Sequence, residues 1–137
     1  MITAIDSNVL LDVLNGDRTF GEASRRALRE SSQSGAVVAC EVVWAETTGW
    51  FADDRGTVTI ERLRIGFDPM RVEASGIAGR AWRRYRTDGG PRQRLIADFL
   101  IGAHATVQAD RLLTRDRGFY RRYFAGLEVL DPATANG

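Results

Sequence analysis

Ile2-Thr3-Ala4-Ile5-Asp6-Ser7-Asn8-Val9-Leu10-Leu11 is the stretch on which the fold turns. Ile2-Thr3-Ala4-Ile5 is short and apolar, the pattern of a buried strand. Asp6, Ser7 and Asn8 are three residue types that favour the N-cap of a helix. Val9-Leu10-Leu11-Asp12-Val13-Leu14 then reads as a short helix stopped by Asn15-Gly16. A buried strand thus passes into a helix through an acid.

The same alternation runs outward along the chain. Residues 20–33 read as a polar helix, with Glu22/Arg26 and Arg26/Glu30 at supportive spacing. Residues 36–39 read as a second buried strand, 42–53 and 57–65 as helices, and 68–72 as a short extended segment. An Arg-rich helix follows over 73–86 and an apolar one over 92–108. Arg111-Leu112-Leu113-Thr114 is a strand candidate, 118–124 a short aromatic helix, and 127–130 a last strand before Asp131-Pro132. Short apolar strands alternating with helices predict an α/β fold around a parallel sheet, formed as one domain over residues 1–137. Such sheets bind ligands beyond the carboxyl ends of their strands. Asp6 and Asp116 both fall just there.

Charge is unevenly placed. Residues 1–79 hold 8 Arg against 12 acids, whereas residues 80–122 hold 11 Arg against 4 Asp. All 19 basic residues are Arg. A guanidinium fork suits phosphate, although a Lys-free composition also follows from a GC-rich genome. The one cysteine, Cys40, excludes an internal disulfide and fits a reducing compartment. No apolar run approaches the roughly 20 residues that span a bilayer, and the N-terminus lacks the pattern of a signal peptide. A cytosolic protein is expected.

Four acids carry the chemistry. Asp6 has a competing reading as a helix cap and Asp116 as a turn residue. Glu46 and Asp98 sit in apolar helical surroundings, Val42-Val43-Trp44-Ala45-Glu46 and Leu95-Ile96-Ala97-Asp98-Phe99-Leu100. Aspartate is a mediocre former of helix interiors, and an unpaired buried charge is costly. An ion pair with Arg94, one turn before Asp98, is the structural alternative. Gly102, one turn after it, leaves room for a ligand. If the acids converge, two carboxylates about 6 Å apart repel by roughly 3 kcal/mol at an effective dielectric near 20. Protons or cations must then compensate, and hard oxygen ligands suit Mg²⁺ or Mn²⁺. Zinc chemistry lacks its ligands, because Cys40 and His104 are each alone of their kind. His104, six residues after Asp98, faces elsewhere and reads as a core or surface residue. Phosphate-binding glycine loops and the nucleophile elbow are missing too.

These pieces together resemble the PIN-domain family, in particular the VapC-type toxins of bacterial toxin–antitoxin pairs. The resemblance rests on Ile5-Asp6-Ser7-Asn8-Val9-Leu10-Leu11, Val43-Trp44-Ala45-Glu46, Asp98-Phe99-Leu100-Ile101-Gly102-Ala103, and Leu112-Leu113-Thr114-Arg115-Asp116 followed by Gly118-Phe119. It implies a three-layer α/β/α sandwich and an acidic cluster of Asp6, Glu46, Asp98 and Asp116, with Asn8 and Thr114 in support. Cys40 departs from the Ser or Thr that relatives often carry there. The implied activity is a metal-dependent endoribonuclease, in which Asp6, Asp98 and Asp116 hold Mg²⁺ or Mn²⁺ and Glu46 orients a water or a second ion. Hydroxide would attack the phosphate in line. The expected partners are structured RNA, a VapB-type antitoxin and a second copy of the chain.

Arg83, Arg84, Arg86, Arg92, Arg94, Arg115 and Arg117 are candidates to track an RNA backbone. Phe119, Tyr120, Tyr123 and Phe124 are candidates to stack on bases, against the commoner role of packing the last helix. Trp44, Trp50, Phe51 and Trp82 are interface or core candidates. Two rival functions remain: a PIN-like module that binds without cleaving, and an Asp-x-Asp phosphohydrolase. The latter is disfavoured because Asn8 stands where its second aspartate belongs.

Overall fold

The computed structural model describes residues 1–90, 94 and 96–133. Its elements run β1 (Ile2–Ile5), α1 (Ser7–Asn15), α2 (Gly21–Ser34), β2 (Ala36–Ala39), α3 (Glu41–Thr48), α4 (Arg55–Arg62) and β3 (Gly66–Phe67). They continue with α5 (Val72–Thr87), α6 (Ile96–Gln108), β4 (Arg111–Leu113), α7 (Arg117–Tyr123) and β5 (Glu128–Leu130). The strands form one sheet in the order β3-β2-β1-β4-β5, and every neighbouring pair is parallel.

That order decides where a site can form. The chain winds from β1 through β2 to β3 in one direction, then returns to the other side of β1 for β4 and β5. Right-handed crossovers place the connecting helices of the two halves on opposite faces, giving the α/β/α sandwich. The direction reverses between β1 and β4, and a crevice opens beyond the carboxyl ends of the strands at such a switch point. Asp6 directly follows β1, and Thr114-Arg115-Asp116 directly follows β4.

The core joins both faces through the sheet. Ile5, Leu112 and Leu113 from the strands are almost fully buried with Val9 and Leu10 of α1, Phe99 of α6 and Tyr120 of α7. His104 is buried as well, its Nε2 2.9 Å from Asp68 Oδ2, an oxygen that also accepts from Gln108 Nε2 at 3.1 Å. The lone histidine thus ties the end of β3 to α6, the core one of the two structural roles expected of it.

Two elements differ from the sequence reading. The extended segment expected at 68–72 is displaced: the strand is Gly66–Phe67, and Asp68 makes the last bond to that edge, N to the Ala39 carbonyl at 2.9 Å. Pro69 lacks an N–H and ends the pairing. Helix α3 stops at Thr48 rather than near residue 53. The Thr48 hydroxyl turns back onto the Trp44 carbonyl (2.8 Å), and Asp53 accepts from the Arg55 N–H to set up α4. Trp50, in the link, is 65% exposed. The start expected for α6 at residue 92 lies outside the described residues.

Candidate active site

Asp6 occupies the switch point. Its backbone is extended (φ −83°, ψ 153°) and it is the N-cap of α1, so the cap reading is met. Capping uses only part of the carboxylate. Oδ1 accepts from the Ser7 N–H at 2.7 Å. Oδ2 accepts from the Thr114 hydroxyl at 2.7 Å and the Tyr120 hydroxyl at 3.2 Å, with the Asn8 amide at 3.4 Å. The residue is 6% exposed. Burial pushes its pKa from 3.8 up to about 6, and the nearby charge of Asp98 pushes the same way. The hydrogen bonds from Thr114, Ser7 and Tyr120 oppose the rise without cancelling it.

The other three acids reach Asp6 through intermediaries. Ser7 Oγ donates to Glu46 Oε1 at 2.6 Å, so one residue touches both carboxylates. Thr114 Oγ1, while donating to Asp6, accepts from the Asp116 N–H at 3.0 Å. Arg94 closes the series: its guanidinium donates to Asp116 Oδ2 and lies 3.9 Å from Asp98 Oδ2. The structural alternative considered for Asp98, an ion pair with Arg94, is therefore present, yet the tighter partner of Arg94 is Asp116. That hydrogen bond leads the causes that raise the Arg94 pKa. All four expected acids and both supporting residues, Asn8 and Thr114, join one linked network.

They are linked rather than gathered. Among the described residues no group of three carboxylate, imidazole or thiolate side chains is arranged to hold a metal ion. The donor chemistry still suits a hard cation, being all carboxylate oxygen. A cation is in fact held at the outer end of the network, in the form of Arg94.

Tyr120 and Arg115, read from the sequence as RNA contacts, and Asp12, read only as part of a helix, complete the network. Tyr120 is almost fully buried, and burial together with the charges of Asp6, Asp98 and Asp116 holds its hydroxyl well above the usual range. Arg115 grips Asp12 with two bonds, Nε to Oδ2 at 2.7 Å and NH2 to Oδ1 at 3.1 Å, while Ser24 Oγ donates to Asp12 Oδ2 at 2.9 Å. Phe20 lies 4.0 Å beneath the same guanidinium. The Arg115 N–H also donates to Asn8 Oδ1 at 3.2 Å. The loop carrying Asp116 is thus fastened to α1 from both sides of its backbone. A carboxylate on α1 that faces inward, as Asp12 does, was the available signal.

Three expectations change. Phe119, Tyr120, Tyr123 and Phe124 are all buried in mutual edge and tilted ring contacts, so they pack α7 rather than present faces to bases. Arg94 and Arg115 are engaged with acids, and Arg117 lies 3.7 Å from Asp131, leaving Arg83, Arg84 and Arg86 exposed on α5. Arg92 lies outside the described residues. A Cβ on Gly102 would meet the Phe124 ring at 2.5 Å, so this glycine admits an aromatic ring, not a ligand. The tryptophans divide: Trp50 is exposed, Trp44 packs edge-on to Phe67, and Trp82 lies under Arg86.

The family model of the PIN domain matches residues 3–125, which include all four acids. The chain belongs to the PIN-domain family. No curated protein sequence is significantly similar to this PIN domain. Solved structures share its fold at low identity. VapBC2 from Rickettsia felis, bound to a promoter DNA fragment, superposes with a TM-score of 0.75 at 15% identity, covering 96% of this chain and 98% of that one. FitAcB from Neisseria gonorrhoeae gives 0.68 at 22% identity, with 98% and 99% covered. VapC20 from Mycobacterium tuberculosis, described as a toxin that cleaves the sarcin–ricin loop, gives 0.55 at 12% identity, with 80% and 86% covered. Among the described residues of this PIN domain, no helix is long and apolar enough to cross a membrane.

Proposed function

We propose that this PIN domain is a metal-dependent endoribonuclease toxin of the VapC type, cutting structured RNA and held in check by a VapB-type antitoxin. The observation that carries the reading is Asp6, buried at the switch point and linked through Ser7 to Glu46 and through Thr114 to the Asp116 backbone, with Arg94 joining Asp116 to Asp98. A structural role needs no such convergence, and it costs stability. The fold neighbours crystallised as VapBC complexes support the antitoxin, and the cleaving activity stated for VapC20 supports the reaction class. A homodimer is the expected assembly.

In this reading Asp6, Asp98 and Asp116 hold Mg²⁺ or Mn²⁺, with Glu46 placed beside them by Ser7. A divalent ion supplies a water of lowered pKa and stabilises charge on the phosphate. The protein's own groups do the rest. Thr114 and Tyr120 fix the Asp6 carboxylate by donating to Oδ2, which keeps its remaining lone pairs directed. Asn8 and Arg115 set the backbone from which Asp116 projects. Arg83, Arg84 and Arg86, exposed on the last turns of α5, are the candidates to contact RNA phosphates.

The rival reading, a PIN-like module that binds without cleaving, draws on the pairing of Arg94 with Asp116. Incubation of structured RNAs with Mn²⁺, with EDTA, and with Asp98→Asn in place of the wild type separates the two. The nuclease cleaves only in Mn²⁺, and Asp98→Asn loses about 10²-fold or more of that rate. Undiminished cleavage by the variant overturns the mechanism. RNA bound but never cut would establish the binding module.

A further inference from the structure

The outer end of the acidic network already contains a cation that belongs to the chain. Arg94 donates to Asp116, lies 3.9 Å from Asp98 four residues on, and stacks over Phe119 with 4.3 Å between guanidinium and ring centroid. Its side chain is about as half-buried as the two carboxylates it serves, at 32% exposure against 31% and 33%. One guanidinium nitrogen of Arg94 reaches both carboxylates, hydrogen-bonding Asp116 and offsetting the charge of Asp98. It also holds Asp116 toward itself, which accounts for a set of acids that is linked but not gathered around one point.

We infer that Arg94 is a built-in competitor for the divalent ion: it neutralises Asp98 and Asp116 in the metal-free protein and must leave Asp116 before that carboxylate can serve as a ligand. The inference rests on the nuclease reading for its metal, and it adds the residue that sets how tightly the metal is held. Two physical consequences follow. The metal-free protein is protected from the mutual repulsion of Asp98 and Asp116, because the guanidinium compensates both charges. Metal affinity is correspondingly lower than the carboxylates alone would give, since displacement of Arg94 is charged against binding. Phe119 offers the guanidinium a face on which to remain close after release.

The test is Mn²⁺ binding, read from the free-ion electron paramagnetic resonance signal, together with thermal denaturation in EDTA and in saturating Mn²⁺. The proteins are the wild type, Arg94→Met, Arg94→Lys, Arg121→Met and Asp98→Asn. Arg94→Met is expected to bind Mn²⁺ about tenfold more tightly than wild type, and to gain more in melting temperature on moving from EDTA to Mn²⁺. Arg94→Lys, which keeps a charge but loses the planar guanidinium stacked on Phe119, falls between the two and decides the matter if Arg94→Met does not fold. Arg121→Met removes an exposed arginine of α7 and is expected to stay within about threefold of wild type, as screened surface charge should. Equal tightening by Arg121→Met would reduce the effect to general charge and overturn the inference. Unchanged or weaker binding by the Arg94 variants, with binding lost in Asp98→Asn, overturns the role of Arg94 and leaves the nuclease reading standing. Absence of Mn²⁺ binding in every protein overturns both.

Discussion

The two ends of the acidic network are neutralised by different means. At the inner end, Asp6 is buried among hydroxyl donors, with no cation beside it among the described residues, and its pKa rises to about 6. At the outer end, Asp116 and Asp98 are half exposed and share Arg94. A protein can therefore hold crowded carboxylates either by making ionisation costly or by supplying an opposite charge. The first solution favours any arriving cation; the second opposes it.

The most severe way to break the contrast is to free the loop that joins the two ends. Asp12→Ala leaves the half-buried Arg115 guanidinium without its partner, and is expected to cost about 3–5 kcal/mol in urea denaturation. A loss below about 1 kcal/mol would show that the loop is held by other contacts. The next test concerns Asp6 directly. A carboxyl whose pKa is raised from 3.8 to about 6 on folding binds more protons folded than unfolded. Stability then falls as pH rises between those values and levels off above them, by about 3 kcal/mol in all. In EDTA, the stability of wild type relative to Asp6→Asn should decline by most of that amount, about 2.4 kcal/mol, from pH 4 to pH 7. A gap independent of pH would erase the distinction between the two ends.

Smaller effects sharpen it. Gly102→Ala drives a methyl into Phe124, beneath the helix that carries Asp98, and is expected to destabilise by about 1–3 kcal/mol. Cleavage should survive where the protein is folded, which a ligand-approach role for Gly102 does not allow. Tyr120→Phe removes one donor from Asp6 at a cost of about 1 kcal/mol. Because that donor stabilises the carboxylate, the variant should move the Asp6 titration above its wild-type position, as read by carbon-13 chemical shifts.

Much of this was legible in the sequence because it is local. Alternation of apolar strands with helices gave the parallel sheet, and the position of Asp6 and Asp116 after strands placed them at one edge of it. The weighting of the acids was not legible. Glu46, in an apolar-looking helix, is exposed, whereas Asp6, which passes for an ordinary cap, is buried most deeply. Burial depends on what the rest of the chain lays over a residue, and Tyr120 and Thr114 are more than 100 positions from Asp6. The same holds for Arg94, whose neighbour four residues on in sequence is Asp98 but whose firmer partner comes from the loop after β4. Gly102 misled for a related reason: an interior glycine records that something comes close, without recording what.

The place of β1 has a consequence for synthesis. It lies in the middle of the sheet, and its β4 side is filled only by residues 111–113. Thr114 and Asp6 are separated by 108 residues. At about 5–20 residues per second, a ribosome needs roughly 5–20 s to make that length. Throughout that interval the first acid waits on an open strand edge. A growing chain cannot assemble this acidic site until residues 114–120 have been made and have emerged, so any activity it has begins only after that point.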